Sequence, residues 1–152
     1  MATVYIGLGT NLGDKNKHIT TAVKLLAERA GKILALSRLY ENPPWGFESE
    51  NEFINAALAL ETVLSPLELL NITQQIEREM GRSGNTSGSY CDRIIDIDIL
   101  LYEDMILHTD NITLPHPLMH ERRFVAVPLA EIAPALLHPV LKKTMASLAL
   151  SL

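Results

Sequence analysis

The most regular feature of the chain is an alternation of apolar and polar residues, which predicts β-strands where its period is two. Residues 3–9 alternate in this way, with one apolar face and one face of small residues, and predict a first strand. Residues 32–40 predict a second strand, and residues 53–63 predict a third whose second face is again mostly small. The apolar run that follows Arg93 predicts a fourth strand. The pattern therefore indicates a sheet with strands from both halves of the chain.

Two stretches between these strands repeat apolar residues at the period of an amphipathic helix. The first begins after Asp14, which suits the N-cap position, and stops at Gly31. The second begins at residues 65–68, which form a capping box with proline at the first helical position, and stops at Gly81. The resulting order is strand, helix, strand, strand, helix, strand.

This order predicts an α+β fold with a ferredoxin-like βαββαβ core, in which both helices cover one face of an antiparallel sheet. The rest of the chain is predicted as C-terminal additions. These are a short strand or turn over residues 112–114, a brief helix opened by Pro117, an apolar helix over 124–133 and a terminal helix over 142–152. The uncovered face of the sheet is the place where we expect the functional site.

The predicted fourth strand carries two carboxylates inside an apolar segment. Ile95, Ile97 and Ile99 would face one side, and Asp96 and Asp98 would face the other, because side chains alternate along a strand. Two carboxylates on one face repel each other, so a cation beside them would stabilise the pair. Mg²⁺ takes oxygen ligands and binds one or two protein carboxylates together with substrate phosphates. The alternative is a solvated polar face on a half-exposed strand.

Basic residues follow this strand in the sequence. His116 and His120 are four residues apart, a spacing that raises the question of zinc. Pro117 favours the start of a helix, so the two histidines are not expected to share a helical face, and zinc is the poorer interpretation. We instead expect a cationic cluster of His116 and Arg122 for phosphate oxygens, with Arg123 solvated at the surface.

Phe53 and Asn55 lie on the small-residue face of the third strand, opposite its apolar stripe. An aromatic ring in that position suits stacking on a flat ligand, and the amide offers both a donor and an acceptor to the edge of a heterocycle. The glycine-rich segment 7–13 matches neither common nucleotide-binding pattern, so a tight strand-to-helix turn is as good an interpretation as phosphate contact.

Composition narrows the class of protein. With 152 residues, the chain is predicted to form a single domain spanning residues 1–152. A net charge of −5 supplies no general attraction to nucleic acid or to a membrane surface, and no apolar run is long enough to span a bilayer. The N-terminus lacks the features of a signal peptide, and the single Cys91 cannot form an internal disulfide, so we expect a cytoplasmic protein. The sequence does not determine the oligomeric state, and a monomer is favoured.

Taken together, several separated motifs resemble the 6-hydroxymethyl-7,8-dihydropterin pyrophosphokinase family of folate biosynthesis. The resemblance covers about residues 4–134 and rests on residues 5–14, 53–57, 77–82, 93–99 and 114–124. It implies a transferase of the kinase type that moves diphosphate from ATP to the hydroxymethyl group of a pterin and releases AMP. Neither the site of attack on ATP nor the pterin follows from spacing alone, which would equally permit transfer of the γ-phosphate.

The resemblance also implies roles for individual residues. Asp96 and Asp98 would hold two Mg²⁺ ions, and these two acids with Arg82 and Arg93 would be the catalytic residues. The ATP site would be lined by Gln74, Glu77, Arg93, Ile99, Thr113, His116 and Arg122. The pterin would lie between Phe53 and Phe124 and would be bound by Asn55 and by the segment that contains Asn42, Pro43 and Trp45.

One segment departs from the family pattern. Where the family commonly has Trp-Gly-Pro-Arg, the chain has Tyr-Cys-Asp-Arg at residues 90–93, and the preceding loop is poor in basic residues. Residues 82–92 are predicted as a mobile loop, and Arg82 would belong to a lid over the reacting groups. Two other function classes stay open from the residues alone: a metal-dependent phosphate-ester hydrolase, and a ligand-sensing module without catalysis.

Overall fold

The computed structural model describes residues 1–42, 52–81 and 94–152, with only the backbone described at Asn42. The elements in chain order are β1 (Ala2–Thr10), α1 (Lys15–Arg29), β2 (Lys32–Leu36), β3 (Tyr40–Asn42), β4 (Phe53–Thr62), α2 (Pro66–Glu79), β5 (Asp96–Tyr102), β6 (Leu107–His108), β7 (Thr113–Leu114), a 3₁₀ turn (Met119–Glu121), α3 (Arg123–Ile132) and α4 (Met145–Leu150). The predicted combination of helices with a sheet is confirmed.

The main sheet is antiparallel and runs in the order β2-β4-β1-β5, with the short β3 also paired to β4. The predicted second strand over residues 32–40 is therefore wrong in one respect, since it is divided into β2 and β3. The division falls at Ser37, which is 5% exposed and whose hydroxyl accepts a hydrogen bond from the Ala57 N–H at 2.9 Å. Beyond it, the Arg38 N–H is bonded to the carboxylate of Glu131, so the ladder is interrupted before Tyr40.

Both predicted helix starts are present. Asp14 caps α1 by accepting a hydrogen bond from the Lys17 N–H at 3.2 Å. Ser65 and Glu68 form the reciprocal capping box of α2, with bonds of 3.2 and 2.9 Å. The helix α2 is followed by Gly81 at a φ of 102°, a conformation that favours glycine.

A first hydrophobic core lies between the sheet and helices α1 and α2. It contains the apolar faces of β1, β4 and β5, including Ile6, Leu58 and Ile97, together with Leu26 and Ile76 from the helices. This is the face of the sheet that the sequence pattern assigned to the helices, and the assignment is confirmed.

The opposite face of the sheet is not open along its whole length, which corrects the expectation that helices cover one face alone. A second core contains Ala57 and Leu100 from the sheet with Leu129 and Leu148 from α3 and α4. A β-bulge in the pairing of β5 with β1 makes this possible, because it leaves Leu100 and Leu101 both in the second core. Among the described residues, the second core ends at Ala57 and Leu100, and the part of this face beyond them carries Asn55 and Asp96.

The C-terminal additions follow the prediction in type but not in length. The helix expected over residues 124–133 is α3, while the brief helix expected at Pro117 is the 3₁₀ turn. The terminal helix is shorter than expected, because Thr144 caps it by accepting from the Ser147 N–H at 3.1 Å. Within the described ranges, no helix combines the length and the apolar character that crossing a membrane requires.

Candidate active site

Gly7 and Gly9 of β1 form a floor between β4 and β5 on the face of the sheet opposite the first core. Gly9 is paired with Asn55 of β4 on one side and with Asp96 of β5 on the other. Gly7 is paired in the same way with Ala57 and Asp98. Adjacent strands are about 4.8 Å apart, so the asparagine and the first aspartate lie roughly 10 Å apart, with no side chain rising between them. The floor spans three strands and is half-buried at Gly7 and buried at Gly9, where the side chain of Asn55 lies over it.

The side chain of Asn55 occupies space over this floor that is free because residue 9 is glycine. A Cβ atom on Gly9 would lie 2.9 Å from the Asn55 Nδ2 atom and 3.7 Å from the Phe53 Cδ1 atom. Asn55 is 7% exposed, whereas Phe53 is half-buried. The two side chains predicted to contact a flat heterocycle are therefore neighbours, and both lie against the glycine.

The short strand β3 extends this group on its far side. Tyr40 is paired with Asn55, and Asn42 is paired with Phe53. The backbone of Asn42 therefore lies beside the aromatic residue. Pro43 and Trp45 lie outside the described residues.

Asp96 and Asp98 lie on the same face of β5, as the alternation predicted, and both are half-buried. Each has a glycine of β1 as its neighbour in the sheet, so the carboxylates are not crowded from that side. Two carboxylates in an otherwise apolar strand provide oxygen ligands alone, which is the donor set that a hard cation such as Mg²⁺ prefers. These two residues therefore fit a magnesium site that is completed by substrate oxygens and water.

Glu77 of α2 holds the segment between the two aspartates. The residue is 4% exposed, and its carboxylate accepts a hydrogen bond from the Ile97 N–H at 2.9 Å. This hydrogen bond fixes the position of β5 relative to α2. Gln74, one turn earlier on α2, is exposed.

A pocket of about 200 Å³ lies next to Asp98, between β5 and the chain around β7. It brings together Asp98, Ile99, Thr113 and His116, which the sequence analysis had placed at one nucleotide site. Its other lining residues, Leu70, Ile97, Asn111, Ile112 and Pro117, were not anticipated. Four of these five lie within one or two positions of a predicted residue, so their place in the sequence could have indicated them. Leu70 comes from α2, and nothing in the sequence indicated it. Gln74 does not line this pocket.

His116 is neutral at physiological pH, which corrects the expectation that it contributes a positive charge. Burial lowers its pKa to about 4, helped by the charge of Arg122 and opposed by the charge of Asp96. Its Nδ1 atom accepts a hydrogen bond from the Leu118 N–H at 3.3 Å, so the proton resides on Nε2. The imidazole therefore offers an uncharged N–H donor next to the pocket.

Arg122 and Phe124 lie together at the start of α3. The guanidinium carbon of Arg122 is 5.7 Å from the centre of the Phe124 ring, and Arg122 is 7% exposed. Arg123 is exposed and donates to the backbone oxygen of Leu152 at 3.0 Å, as expected for a residue outside the site.

The second histidine of the pair belongs to another part of the molecule. The ring of His120 packs edge-on against His138, with ring centres 6.0 Å apart. Across residues 1–42, 52–81 and 94–152, no group of three or more His, Cys, Asp and Glu side chains could hold a metal. The described residues thus offer no zinc site at His116 and His120.

Comparison with known proteins identifies the family of the chain. Residues 5–134 match the family model described as 7,8-dihydro-6-hydroxymethylpterin-pyrophosphokinase, or HPPK. The chain belongs to the HPPK family. The resemblance drawn from the separated motifs is thereby confirmed.

Curated members of the family are similar over most of their length. A 2-amino-4-hydroxy-6-hydroxymethyldihydropteridine pyrophosphokinase of Porphyromonas gingivalis is 49% identical over 141 residues, which cover 91% of this chain and 95% of the relative. The protein of that name from Aquifex aeolicus is 41% identical over 145 residues, covering 95% of this chain and 89% of the relative. The activity predicted from the sequence is therefore supported by close relatives along the whole chain.

Solved structures support the fold. The crystal structure of wild-type Plasmodium falciparum HPPK-DHPS with pteroate superposes with a TM-score of 0.80 at 18% identity, covering 99% of this chain. The chain spans 44% of the length of that protein. At this level of identity the similarity concerns the fold, a mixture of helices with an antiparallel sheet.

Several of the predicted site residues form two adjoining groups. Phe53 and Asn55 both lie against Gly9, and Asp98, on the same face of β5 as Asp96, lines the pocket that contains His116. Arg82 and Arg93 lie outside the described residues, as does the loop 82–92 to which the lid was assigned. Their roles stay predictions.

Proposed function

We propose that the uncovered end of the sheet is the site at which this chain carries out the reaction of its family. That reaction transfers diphosphate from ATP to the hydroxymethyl group of 6-hydroxymethyl-7,8-dihydropterin in folate biosynthesis. The observation that carries the proposal is the pairing of Gly9 with Asn55 on one side and Asp96 on the other. A ring-binding amide and a cation-binding carboxylate thereby face one continuous floor.

The pterin would occupy the part of the floor that lies towards β4 and β3. Its ring would stack between Phe53 and Phe124, and Asn55 would bind its polar edge with one donor and one acceptor. Additional contacts would come from the segment with Asn42, Pro43 and Trp45. The burial of Asn55 against Gly9 supports this role, because a fixed amide selects a ligand edge better than a mobile one.

ATP would occupy the part that lies towards β5 and its pocket. Asp96 and Asp98 would hold Mg²⁺, for which we propose two ions, and the bound metal would neutralise part of the phosphate charge. The Nε2–H of His116 would donate to a phosphate oxygen without adding charge, and Arg122 would supply a permanent cation. The further residues proposed for this site are Gln74, Glu77, Arg82, Arg93, Ile99 and Thr113.

The reaction of the family is expected to proceed by in-line displacement, the usual course of phosphoryl-type transfer. The oxygen of the pterin hydroxymethyl group would form a bond to the β-phosphorus of ATP, the bond from that phosphorus to the α,β-bridging oxygen would break, and AMP would leave with the electron pair. The proton of the alcohol would pass to solvent. The chain's own residues contribute position and charge to this step, since phosphoryl-type transfer needs little covalent participation by the protein.

We further propose that the whole chain is one domain, that β1, α1, β2, β4, α2 and β5 form a ferredoxin-like unit, and that the protein works as a cytoplasmic monomer. The strand order β2-β4-β1-β5 with both helices in the first core supports the ferredoxin-like assignment.

The decisive experiment incubates the protein with Mg²⁺ and ATP, with or without the pterin alcohol, and separates the nucleotide products. We expect AMP and the pterin diphosphate in equal amounts, and no AMP when the pterin is omitted. Nucleotide release without the pterin would indicate a hydrolase, and binding without any product would indicate a sensing module. Either result would contradict the proposal.

The same assay tests the carboxylate pair. Asp98→Asn is expected to lower kcat on the order of 10²- to 10³-fold, because charge stabilisation in the transition state is lost. The melting temperature is measured without metal, so that a loss of folding is separated from the loss of catalysis. Asp104→Asn, at an exposed position in the turn after β5, is the matched control and should leave both quantities unchanged. Mg²⁺ with an ATP analogue should stabilise Asp98→Asn less than the unsubstituted protein.

A further inference from the structure

Glu131, near the C-terminal end of α3, joins that helix to the chain between β2 and β3. Its carboxylate accepts hydrogen bonds from the Arg38 N–H at 3.2 and 3.1 Å, one to each oxygen, and from the Arg38 Nε–H at 3.3 Å. It also accepts a short hydrogen bond from the hydroxyl of Tyr40. The Arg38 guanidinium in turn lies over the Tyr40 ring, with its carbon 5.7 Å from the ring centre. One carboxylate thus connects to two residues of a segment more than 90 positions away in sequence.

Each end of this connection leads to one wall of the proposed pterin slot. On the sheet side, Tyr40 is paired with Asn55. Two residues later in the same strand, Asn42 is paired with Phe53. On the helix side, Glu131 lies seven residues after Phe124 in the same helix. Seven residues correspond to two turns and about 10 Å, so the two side chains leave nearly the same side of the helix.

The segment of residues 37–40, which contains Arg38 and Tyr40, is also attached to β4. The Ser37 N–H donates to the Ala57 oxygen at 2.8 Å, and the Ser37 hydroxyl accepts from the Ala57 N–H at 2.9 Å. The segment therefore has one anchor in β4 and one anchor in α3. Within α3, Pro128 has no N–H to donate back to residue 124, so the helix lacks one of the bonds that would tie its two halves together. The hydrogen bonds of Glu131 in the C-terminal half of α3 therefore help to set the position of the helix on the sheet.

We propose that Glu131 is a positioning residue for the pterin: it sets the separation between α3, which carries Phe124, and the β3–β4 pair, which carries Asn55 and Phe53. The inference rests on the proposed function of those three residues as the walls of the slot. Glu131 acts through Arg38 and Tyr40 and touches no reacting group.

The test compares Glu131→Gln and Tyr40→Phe with a control that removes a similar ion pair elsewhere. In the control, Glu79→Gln removes the charge and one of the two acceptor oxygens from the pair of Glu79 with Arg29, at 2.6 and 2.9 Å, which links α2 to α1. For each full-length variant, the melting temperature, kcat, and the KM values for pterin and for ATP are measured. The dissociation constant of the pterin is also measured by its fluorescence, with Mg²⁺ and a non-hydrolysable ATP analogue present.

Glu131→Gln and Tyr40→Phe are expected to raise the KM and dissociation constant of the pterin roughly tenfold, because a small misplacement of a binding wall weakens alignment. The KM for ATP should change by less than about twofold, and the double variant should be little worse than either single one. Glu79→Gln should leave both KM values unchanged, whatever it does to the melting temperature. Unchanged pterin binding in Glu131→Gln and Tyr40→Phe, or equal losses for pterin and ATP, would overturn the inference.

The binding measurement keeps this inference separate from the proposed function. If the unsubstituted protein bound pterin but formed no AMP, the proposed reaction would fail, while the ranking of the variants in pterin binding would still decide the role of Glu131. If the unsubstituted protein bound no pterin, both would fail.

Discussion

At the scale of single residues, Gly7 and Gly9 occupy equivalent places on one face of β1 but differ in the space above them. A Cβ atom on Gly9 would lie 2.9 Å from the Asn55 amide nitrogen, whereas on Gly7 the nearest atom would be a Leu100 methyl carbon at 3.4 Å. The first contact is too close for the amide to stay in place, and the second is close to ordinary van der Waals packing. The requirement for glycine is therefore stricter at residue 9.

This difference gives a paired prediction. Gly9→Ala should displace the side chain of Asn55 and raise the KM for the pterin roughly tenfold, with destabilisation of about 1–3 kcal/mol from overpacking. Gly7→Ala, two residues earlier on the same face, should change the pterin KM by less than about twofold. Steady-state kinetics of both variants, with thermal unfolding, provide the check. Equal kinetic effects of the two substitutions would show that the amide position is not what Gly9 protects.

The sequence identified some residues of the site and missed others, for reasons that differ. Asp96 and Asp98 were placed on one face correctly, because alternation along a strand is a local property. The neutral state of His116 could not be read from the sequence, since burial and the nearby Arg122 decide it. Glu131 carried no signal, because its partners are distant in sequence.

At the scale of elements, β5 is attached to α2 by a buried hydrogen bond. The Glu77 carboxylate accepts from the Ile97 N–H between the two aspartates. Glu77→Ala would leave that N–H unsatisfied and should lower the free energy of unfolding by about 2 kcal/mol. Glu77→Gln keeps a carbonyl acceptor and should lower it by less. Urea unfolding measures both, and a loss in Glu77→Gln as large as in Glu77→Ala would show that the hydrogen bond is not the stabilising feature.

The segment between α3 and α4 is organised around His138. Its Nδ1 atom accepts hydrogen bonds from the N–H groups of Val140 and Leu141 at 3.2 and 3.1 Å, and the residue is 4% exposed. Burial, with a smaller contribution from His120, lowers its pKa below the ordinary value of 6.5. The folded protein therefore resists protonation of this ring. A proton on Nδ1 would also remove the acceptor of the two backbone hydrogen bonds.

The consequence is a pH dependence of stability with a defined sign. Below the ordinary pKa the unfolded chain takes up a proton that folded His138 excludes, so this contribution to the free energy of unfolding decreases as the pH falls from about 6.5 towards the lowered pKa. Urea unfolding of His138→Asn should show a shallower decrease over that range than the unsubstituted protein. His108→Asn, at an exposed histidine, should retain the full slope. Equal slopes in all three proteins would contradict the assignment.

At the scale of the whole molecule, the sheet has a core on each face, and the two cores relate differently to the site. The first packs α1 and α2 against the sheet, and the second packs α3, which carries Phe124 in its first turn, against the other face. Leu26 of the first core and Leu129 of the second are both fully buried.

These two leucines allow loss of stability to be separated from loss of geometry. Leu26→Ala and Leu129→Ala should each lower the free energy of unfolding by about 2–5 kcal/mol, because each leaves a cavity. Only Leu129→Ala should raise the pterin KM, since α3 carries one wall of the slot. Calorimetry and kinetics below the unfolding transition provide the comparison. A similar rise in KM for both variants would mean that the site responds to overall stability.

The sequence by itself determined the features that depend on near neighbours along the chain. The caps at Asp14 and Ser65, the alternation that turns both aspartates to one side, and the family motifs all express local geometry or short-range chemistry, and each was confirmed. The tertiary structure alone decided how much of the second face stays open, because the β-bulge at Leu100 and the packing of α3 arise from contacts between distant segments. It also decided which side chains meet across strands, since the register that places Gly9 between Asn55 and Asp96 is set by the pairing of three strands and by burial on both faces of the sheet.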